Sequence, residues 1–254
     1  MKAVFRMLKK LSGPLAVLFW LGVWQAAALF LDSRILLVSP VTAIATLLRL
    51  MGEGSFYAAV FLSVRRILWG FLLAALAASV LSALAARFFW ARALLSPLMQ
   101  AVKATPVASF VVLALLFFSS SRLSTFMSFL MALPILYTNT LTGFLSADRK
   151  LIEMADIFRL SPITRARVIY IPAAFPYFLS GCTVSLGVCW KAGVAAEVIG
   201  LPAGSIGEKL YDAKIFLDTP EMFAWTLAVI LISLLFEKLL IWIMRLAQKR
   251  MGAQ

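Results

Sequence analysis

Long apolar runs separated by short polar or basic stretches set the layout of the chain. They predict six helices, over residues 14–31, 67–88, 99–118, 123–145, 173–198 and 222–243. A helix rises ~1.5 Å per residue, so about 20 apolar residues cross the hydrocarbon core of a bilayer. The third run is strongly apolar only from Val107 to Phe118. It reaches spanning length by starting near Met99, with a bend expected at Pro106, which has no N–H for the helical ladder. The first run follows Lys2, Arg6, Lys9 and Lys10, the layout of a signal peptide. It is long for such a segment and Ala26–Ala28 leads into further apolar chain, so an uncleaved first span is expected.

Two shorter segments carry a helical period without spanning length. Ser39-Pro40 is a helix start, with serine as N-cap and proline at the first helical position. Ile44, Leu47, Leu48 and Met51 follow at i, i+3, i+4, i+7, giving a short amphipathic helix, either on the outer membrane surface or packed as a strap. Residues 148–172 lie between the fourth and fifth spans. Asp148 can cap a helix over residues 149–160 with Leu151, Met154, Ala155 and Phe158 on one face. Ser161-Pro162 then starts a second short helix that ends near Ile171-Pro172. Such a helix–turn–helix suits either headgroups or the groove of a partner protein.

Composition agrees with a membrane solvent. Of 254 residues, 63% are hydrophobic and 14% charged, against ~45–50% and ~25% in soluble domains. The net charge of +13 comes from 24 Lys+Arg and 11 Asp+Glu. With the N-terminus inside, fifteen Lys/Arg fall on the inner side and seven on the outer, which puts both termini in the cytoplasm. Arg65 and Arg66 fit this scheme least, because it places them outside. The basic residues sit between spans, so no nucleic-acid role is expected. The chain has no histidine and therefore no imidazole chemistry. Cys182 and Cys189, seven apart on one run, lie ~10 Å apart along a helix, too far for a disulfide.

The 148–172 segment resembles the signature of ABC importer permeases, E-A-A-x3-G-x9-I-x-L-P. Glu153-Met154-Ala155 stands for E-A-A and Ile169-Tyr170-Ile171-Pro172 for I-x-L-P, nineteen residues from Glu to the last Pro. Met154 replaces an alanine, and Arg159 replaces the glycine. Arginine disfavours the positive φ that glycine adopts freely, so either the turn differs or Ser161-Pro162 makes it. Four further stretches resemble the sulfonate/nitrate/taurine branch: Leu37-Val38-Ser39-Pro40 for L-P-S-P, Ser63 through Arg66 to Gly70-Phe71 for S-x-x-R-x-x-x-G-F, Lys103-Ala104-Thr105-Pro106 for R-x-x-P, and Trp190 through Ala195-Ala196-Glu197 to Gly200 for W-x(4)-A-A-E-x-x-G. The likeness runs in order over roughly residues 35–245.

The resemblance implies an all-α polytopic permease of type I importer fold, one domain over residues 1–254, in a bacterial inner membrane. It pairs as a homodimer or with a second permease, takes solute from an extracytoplasmic binding protein, and is driven by two cytosolic ATPase subunits. ATP and Mg belong to those subunits. The chain has no G-x-x-x-x-G-K-[ST] loop and is expected to bind no cofactor or metal and to catalyse nothing itself. Leu151, Glu153, Met154, Ala155, Phe158, Arg159, Ser161 and Pro162 become the ATPase-coupling candidates. Pro106, Trp190, Lys191 and Glu197 become candidates for the pathway or its gate. Lys191 is placed either to attract an anionic solute or to snorkel to outer headgroups, and Glu197 to buttress the outer gate. The outer segment 201–221 faces the binding protein or serves as a connector. Solutes of the branch are sulfonates, nitrate, taurine and vitamin-precursor-like molecules. The alternative is an ATP-independent secondary transporter or channel. Such proteins place paired ionisable groups in the membrane, and no convincing pair is visible. A membrane enzyme would need a nucleophile–base set, which is also missing.

Overall fold

A computed structural model describes residues 2–31 and 37–252. Arg34, assigned to the outer side, and Leu36 lie outside the described residues. Every regular element among the described residues is helical: α1 (Lys2–Leu31), α2 (Pro40–Leu50), α3 (Gly54–Arg87), α4 (Phe89–Ala104), α5 (Val107–Leu115), α6 (Ser120–Leu145), α7 (Arg149–Ile157), α8 (Pro162–Arg165), a π-helical turn (Ala166–Tyr170), α9 (Ile171–Gly200), α10 (Ile206–Ile215) and α11 (Thr219–Gly252). Four helical stretches are long and apolar enough to span: Gly54–Arg87, Ser120–Leu145, Pro162–Gly200 and Thr219–Met244. Leu15–Leu31 is a shorter apolar stretch.

Three expected boundaries shift. The second span begins not near Ile67 but at Gly54, so Arg65 and Arg66 sit within a 34-residue helix. The expected third span is broken. α4 and α5 meet at 101°, with Thr105 and Pro106 between them. Thr105 is extended (φ −81°, ψ 132°), as the residue before proline is driven to be. Nine residues of α5 cover only ~14 Å, so α5 cannot cross alone. The fifth span starts earlier than residue 173. Pro162 to Gly200 is one 39-residue helical run. A π turn lets it pass the prolines: the Ile171 N–H bonds back five residues to Ala166 C=O, just before Pro172, which has no N–H to give.

The contacts gather into two compact units. The first comprises the chain up to Ala58 together with Lys209–Ile230. Aromatic pairs hold it, Phe56 stacking on Trp225 at 5.1 Å and Trp24 against Phe223 at 5.7 Å. In α2, Ser39 Oγ accepts the Thr42 N–H at 3.2 Å, the expected cap. The buried stripe is Ala43, Leu47 and Leu50, however. Ile44, Leu48 and Met51 are exposed, so the apolar face lies one position away from the expected one.

The second unit comprises Ala59–Glu208 and the chain from Leu231 onward. Its spine is the α6–α9 pair, and small residues let the two backbones approach. A Cβ on Gly143 would lie 2.7 Å from Ala174 Cα, and one on Gly193 would lie 2.7 Å from Ser128 Oγ. Close approach through small residues and interhelical hydrogen bonds replaces the hydrophobic drive that lipid removes. Ser128 Oγ donates to Cys189 C=O at 3.3 Å, and Cys189 Sγ donates to Ser128 C=O at 3.3 Å. Both cysteines are free and buried, as their spacing requires. On the other side of the bend, Val102 of α4 and Val111 and Ala114 of α5 pack with Leu123, Met127 and Met131 of α6 and Ala192 and Ala196 of α9.

Candidate functional site

Residues 148–165 form a closed, capped turn. Asp148 Oδ1 accepts the Lys150 N–H at 2.9 Å and starts α7. The helix stops at Ile157, short of the expected residue 160. Arg159 takes φ +50°, so the arginine adopts the left-handed conformation of the motif's glycine. Arg159 N–H bonds to Asp156 C=O at 3.1 Å and Leu160 N–H to Ala155 C=O at 2.9 Å, the two bonds of a Schellman C-cap. Arg165 then ties the next turn back. Its Nε donates to Leu160 C=O at 3.0 Å and its Nη2 to Ala155 C=O at 3.2 Å, while Nη1 pairs with the Asp156 carboxylate. A cation on the open carbonyls at a helix C-terminus also complements the helix dipole. Ser161 Oγ accepts the Thr164 N–H at 3.2 Å, with Pro162 at the first position, as expected.

Around this scaffold stands an exposed apolar set. Leu151, Met154 and Phe158 are exposed. Ala155, expected on the same face, is instead fully buried, because α7 rests on the turn through it. Ile157 and Ile163, which the helical period did not single out, are 79% and 82% exposed. Glu153 is exposed and has no hydrogen bond or ion pair among the described residues. It does not hold the loop together.

The second constellation is at the other end of the Pro162–Gly200 run. Glu197 is fully buried. Ser63 Oγ of α3 donates to its Oε2 at 2.6 Å, Gly207 N–H approaches the same oxygen at 3.4 Å, and Arg66 Nη1 faces Oε1 at 3.6 Å. Ser63 Oγ in turn accepts the Ile206 N–H at 3.0 Å, so one hydroxyl joins α3, α9 and the start of α10. The chain returns to Glu197 because Leu201 is left-handed (φ 49°). Gly207 is required there, since a Cβ would lie 2.3 Å from Glu197 Cβ. α10 itself starts in a capping arrangement: Ser205 Oγ accepts the Glu208 N–H at 3.0 Å and Glu208 Oε2 the Gly204 N–H at 2.6 Å. The 201–221 segment is thus part helix rather than an open connector.

Charge inside a span is costly unless paired. The Arg66–Glu197 pair, 3.6 Å apart on two helices long and apolar enough to span, meets that demand and is not visible in the sequence alone. The α3 motif positions divide the work between them. Ser63 and Arg66 bind Glu197, Gly70 lets α6 approach (a Cβ would lie 2.4 Å from Thr125 C=O), and Phe71 is buried. The other pathway candidates are dispersed. Trp190 is buried, edge-on to Phe236 at 5.8 Å. Lys191 is exposed and unpaired among the described residues, and Pro106 marks the α4–α5 bend.

A cleft opens beside this clasp, between α3 and α6. Arg65, Arg66, Trp69, Leu73, Ser121 and Thr125 line about 520 Å³. A neighbouring cavity of about 500 Å³ shares Leu73 and Thr125 and adds Arg122 and the rings of Phe118, Phe126 and Phe129. Neither was foreseen, because Arg65 and Arg122 are distant in sequence and nothing in either run marks them as neighbours.

An all-α fold with several helices long and apolar enough to span defines a polytopic membrane protein, and comparison with known proteins narrows it to a transport permease. Residues 70–253 match the family described as binding-protein-dependent transport system inner membrane component. The chain belongs to this family: it is a multi-pass inner-membrane permease of an ABC transport system of the binding-protein-dependent, importing kind. It is 30% identical over 87% of its length to the putative aliphatic sulfonates transport permease protein SsuC of Bacillus subtilis, covering 84% of that protein. A probable ABC transporter permease protein of Brucella melitensis is 27% identical over 87% of this chain and 90% of its own. The bicarbonate transport system permease protein CmpB of Synechococcus elongatus is 24% identical over 72% and 66%.

Proposed function

We propose that this chain, paired with a second permease chain, forms the solute pathway of an importer and couples through residues 148–172 to two cytosolic ATPase subunits. The observation that carries the coupling is the exposed set Leu151, Met154, Ile157, Phe158 and Ile163, mounted on a turn closed by Arg165 and continuous with α9. A rigid handle of this kind moves as a body, so closure of an ATPase dimer would shift the inner end of α9. ATP favours one of two permease conformations only in so far as the handle binds the ATPase differently in each. Hydrolysis, with ATP and Mg, belongs to the partner subunits. A binding protein delivers solute at the opposite face, near α10, and both termini are cytoplasmic. The pairing of Arg66 with Glu197 supports that orientation, because it removes one of the two arginines that fitted it least. The solute is a small organic or inorganic molecule of the sulfonate, nitrate, taurine or vitamin-precursor type; relatives named for aliphatic sulfonates and for bicarbonate support this range.

The test is co-expression with the cognate ATPase. Phe158→Asp should cut copurified ATPase about tenfold, the loss of ~1.4 kcal/mol that one apolar contact at an interface readily supplies. Unchanged copurification and transport would remove the coupling argument. The alternative of an ATP-independent transporter would draw on the Arg66–Glu197 pair, and the family match sets it aside.

A further inference from the structure

Three arginines face the two α3–α6 cavities, and no carboxylate lines either one. Arg66 has Glu197 behind it, but Arg65 and Arg122 have no hydrogen bond or ion pair among the described residues. Arg65 and Arg122 are both exposed, so their guanidinium forks are free to take an oxyanion, the geometry they match best. The hydroxyls of Ser121 and Thr125 add donors on the opposite wall. The wall continues not into further polar groups but into Trp69, Leu73, Phe126 and Phe129. A bare oxyanion would satisfy the arginines and leave the aromatic part unfilled. The volumes fall in the range of small-molecule sites, which are mostly apolar with a few converging polar groups.

We propose that the α3–α6 cleft binds an organic anion with an apolar body, its charged group on Arg65 and Arg66 and its body against Trp69, Leu73 and the Phe126–Phe129 side. The proposal rests on the reading of the chain as a solute pathway and makes the solute the occupant. The charged group shares Arg66 with Glu197. At 3.6 Å that pair has no hydrogen bond to lose, so an anion in the cleft competes with Glu197 for the guanidinium. Occupancy is thereby linked to the outer end of the 39-residue run whose inner end is the coupling turn.

The permease–ATPase complex, reconstituted in phosphatidylcholine nanodiscs, is titrated with benzenesulfonate by calorimetry, with nitrate as competitor. Saturable binding is expected, at least ~tenfold weaker in Arg65→Gln, which is ~1.4 kcal/mol. Trp69→Ala and Arg122→Gln should also weaken it, Arg49→Gln should leave it unchanged, and equimolar nitrate should not displace the probe. Absence of saturable binding, binding undiminished in both Arg65→Gln and Arg122→Gln, or full displacement by nitrate overturns the proposal. An anionic headgroup offers the same chemistry as the solute, so nanodiscs containing phosphatidylglycerol separate the two sources. If that lipid abolishes probe binding and native mass spectrometry retains it on the wild type but not on Arg65→Gln, the cleft is a lipid site and the solute proposal falls. The ATPase readout keeps the two claims apart: if Phe158→Asp still uncouples while no probe binds, this inference fails and the functional reading stands.

Discussion

Glu197 and Arg159 show how a single residue decides local geometry in opposite ways. Glu197 is buried and served by Ser63 and Gly207, with Arg66 as its counter-charge. Ser63→Ala removes the hydroxyl from both Glu197 and the Ile206 N–H. Leaving buried polar groups unmet costs ~1–3 kcal/mol, so the thermal unfolding midpoint of the detergent-solubilised complex should fall. Gly207→Ala should lower it at least as far, because the new methyl must displace Glu197 itself. Midpoints unchanged in both variants would show that the clasp adds nothing to stability. Arg159 takes the opposite course and keeps a conformation that disfavours it. A left-handed non-glycine residue costs ~1–2 kcal/mol, part of which glycine would return as unfolded-state entropy. Arg159→Gly should therefore stabilise the turn by about 0.5–1 kcal/mol, read as hydrogen exchange at Leu160 slowed a few-fold. Faster exchange in the variant would mean that the arginine side chain itself holds the turn.

At the scale of elements, the capped starts of the short helices were legible, whereas span starts and helix ends were not. Asp148, Ser39 and Ser161 cap where their side chains say they should, the two serines with proline next, because capping is decided within three residues. The α7 stop at Ile157 is held by Arg165 reaching back across the turn, contacts nine and ten residues apart that no local pattern encodes. The same gap hid the burial of Ala155 and the exposure of Ile163. Pro106 was readable as a bend, but its 101° size depends on how α4, α5, α6 and α9 share one apolar cluster. Pro172 read as a break before the fifth span, yet the helical run passes it, since a π turn and the packing against α6 re-satisfy the backbone. Arg165→Ala should loosen the handle without touching its apolar face. ATPase activity stimulated by binding protein should then drop several-fold while copurification persists. Full stimulation in Arg165→Ala would separate the staple from coupling.

For the whole molecule, apolar run length announced a polytopic membrane protein, and the ordered motifs announced the family. What they left hidden was the partner of each charge. Arg66 looked misplaced outside the membrane because its counter-ion lies 131 residues further on, across a helix pair. The α3–α6 cleft was hidden for the same reason. Sequence patterns report which face of a helix is apolar, whereas a site is built by which faces meet, and that is set by close contacts such as Gly70 on Thr125 and Gly193 on Ser128. The resulting picture is a long rod, Pro162–Gly200, with a charged clasp at one end and an apolar handle at the other. The most direct measurement of it is accessibility of the handle. With Cys182 and Cys189 both buried, a Phe158→Cys permease carries one reactive site for a membrane-impermeant maleimide. It should label in inverted vesicles stripped of ATPase, stay unlabelled in intact spheroplasts, and be protected when the ATPase is restored. Labelling from the outer side, or labelling undiminished by bound ATPase, would contradict the account.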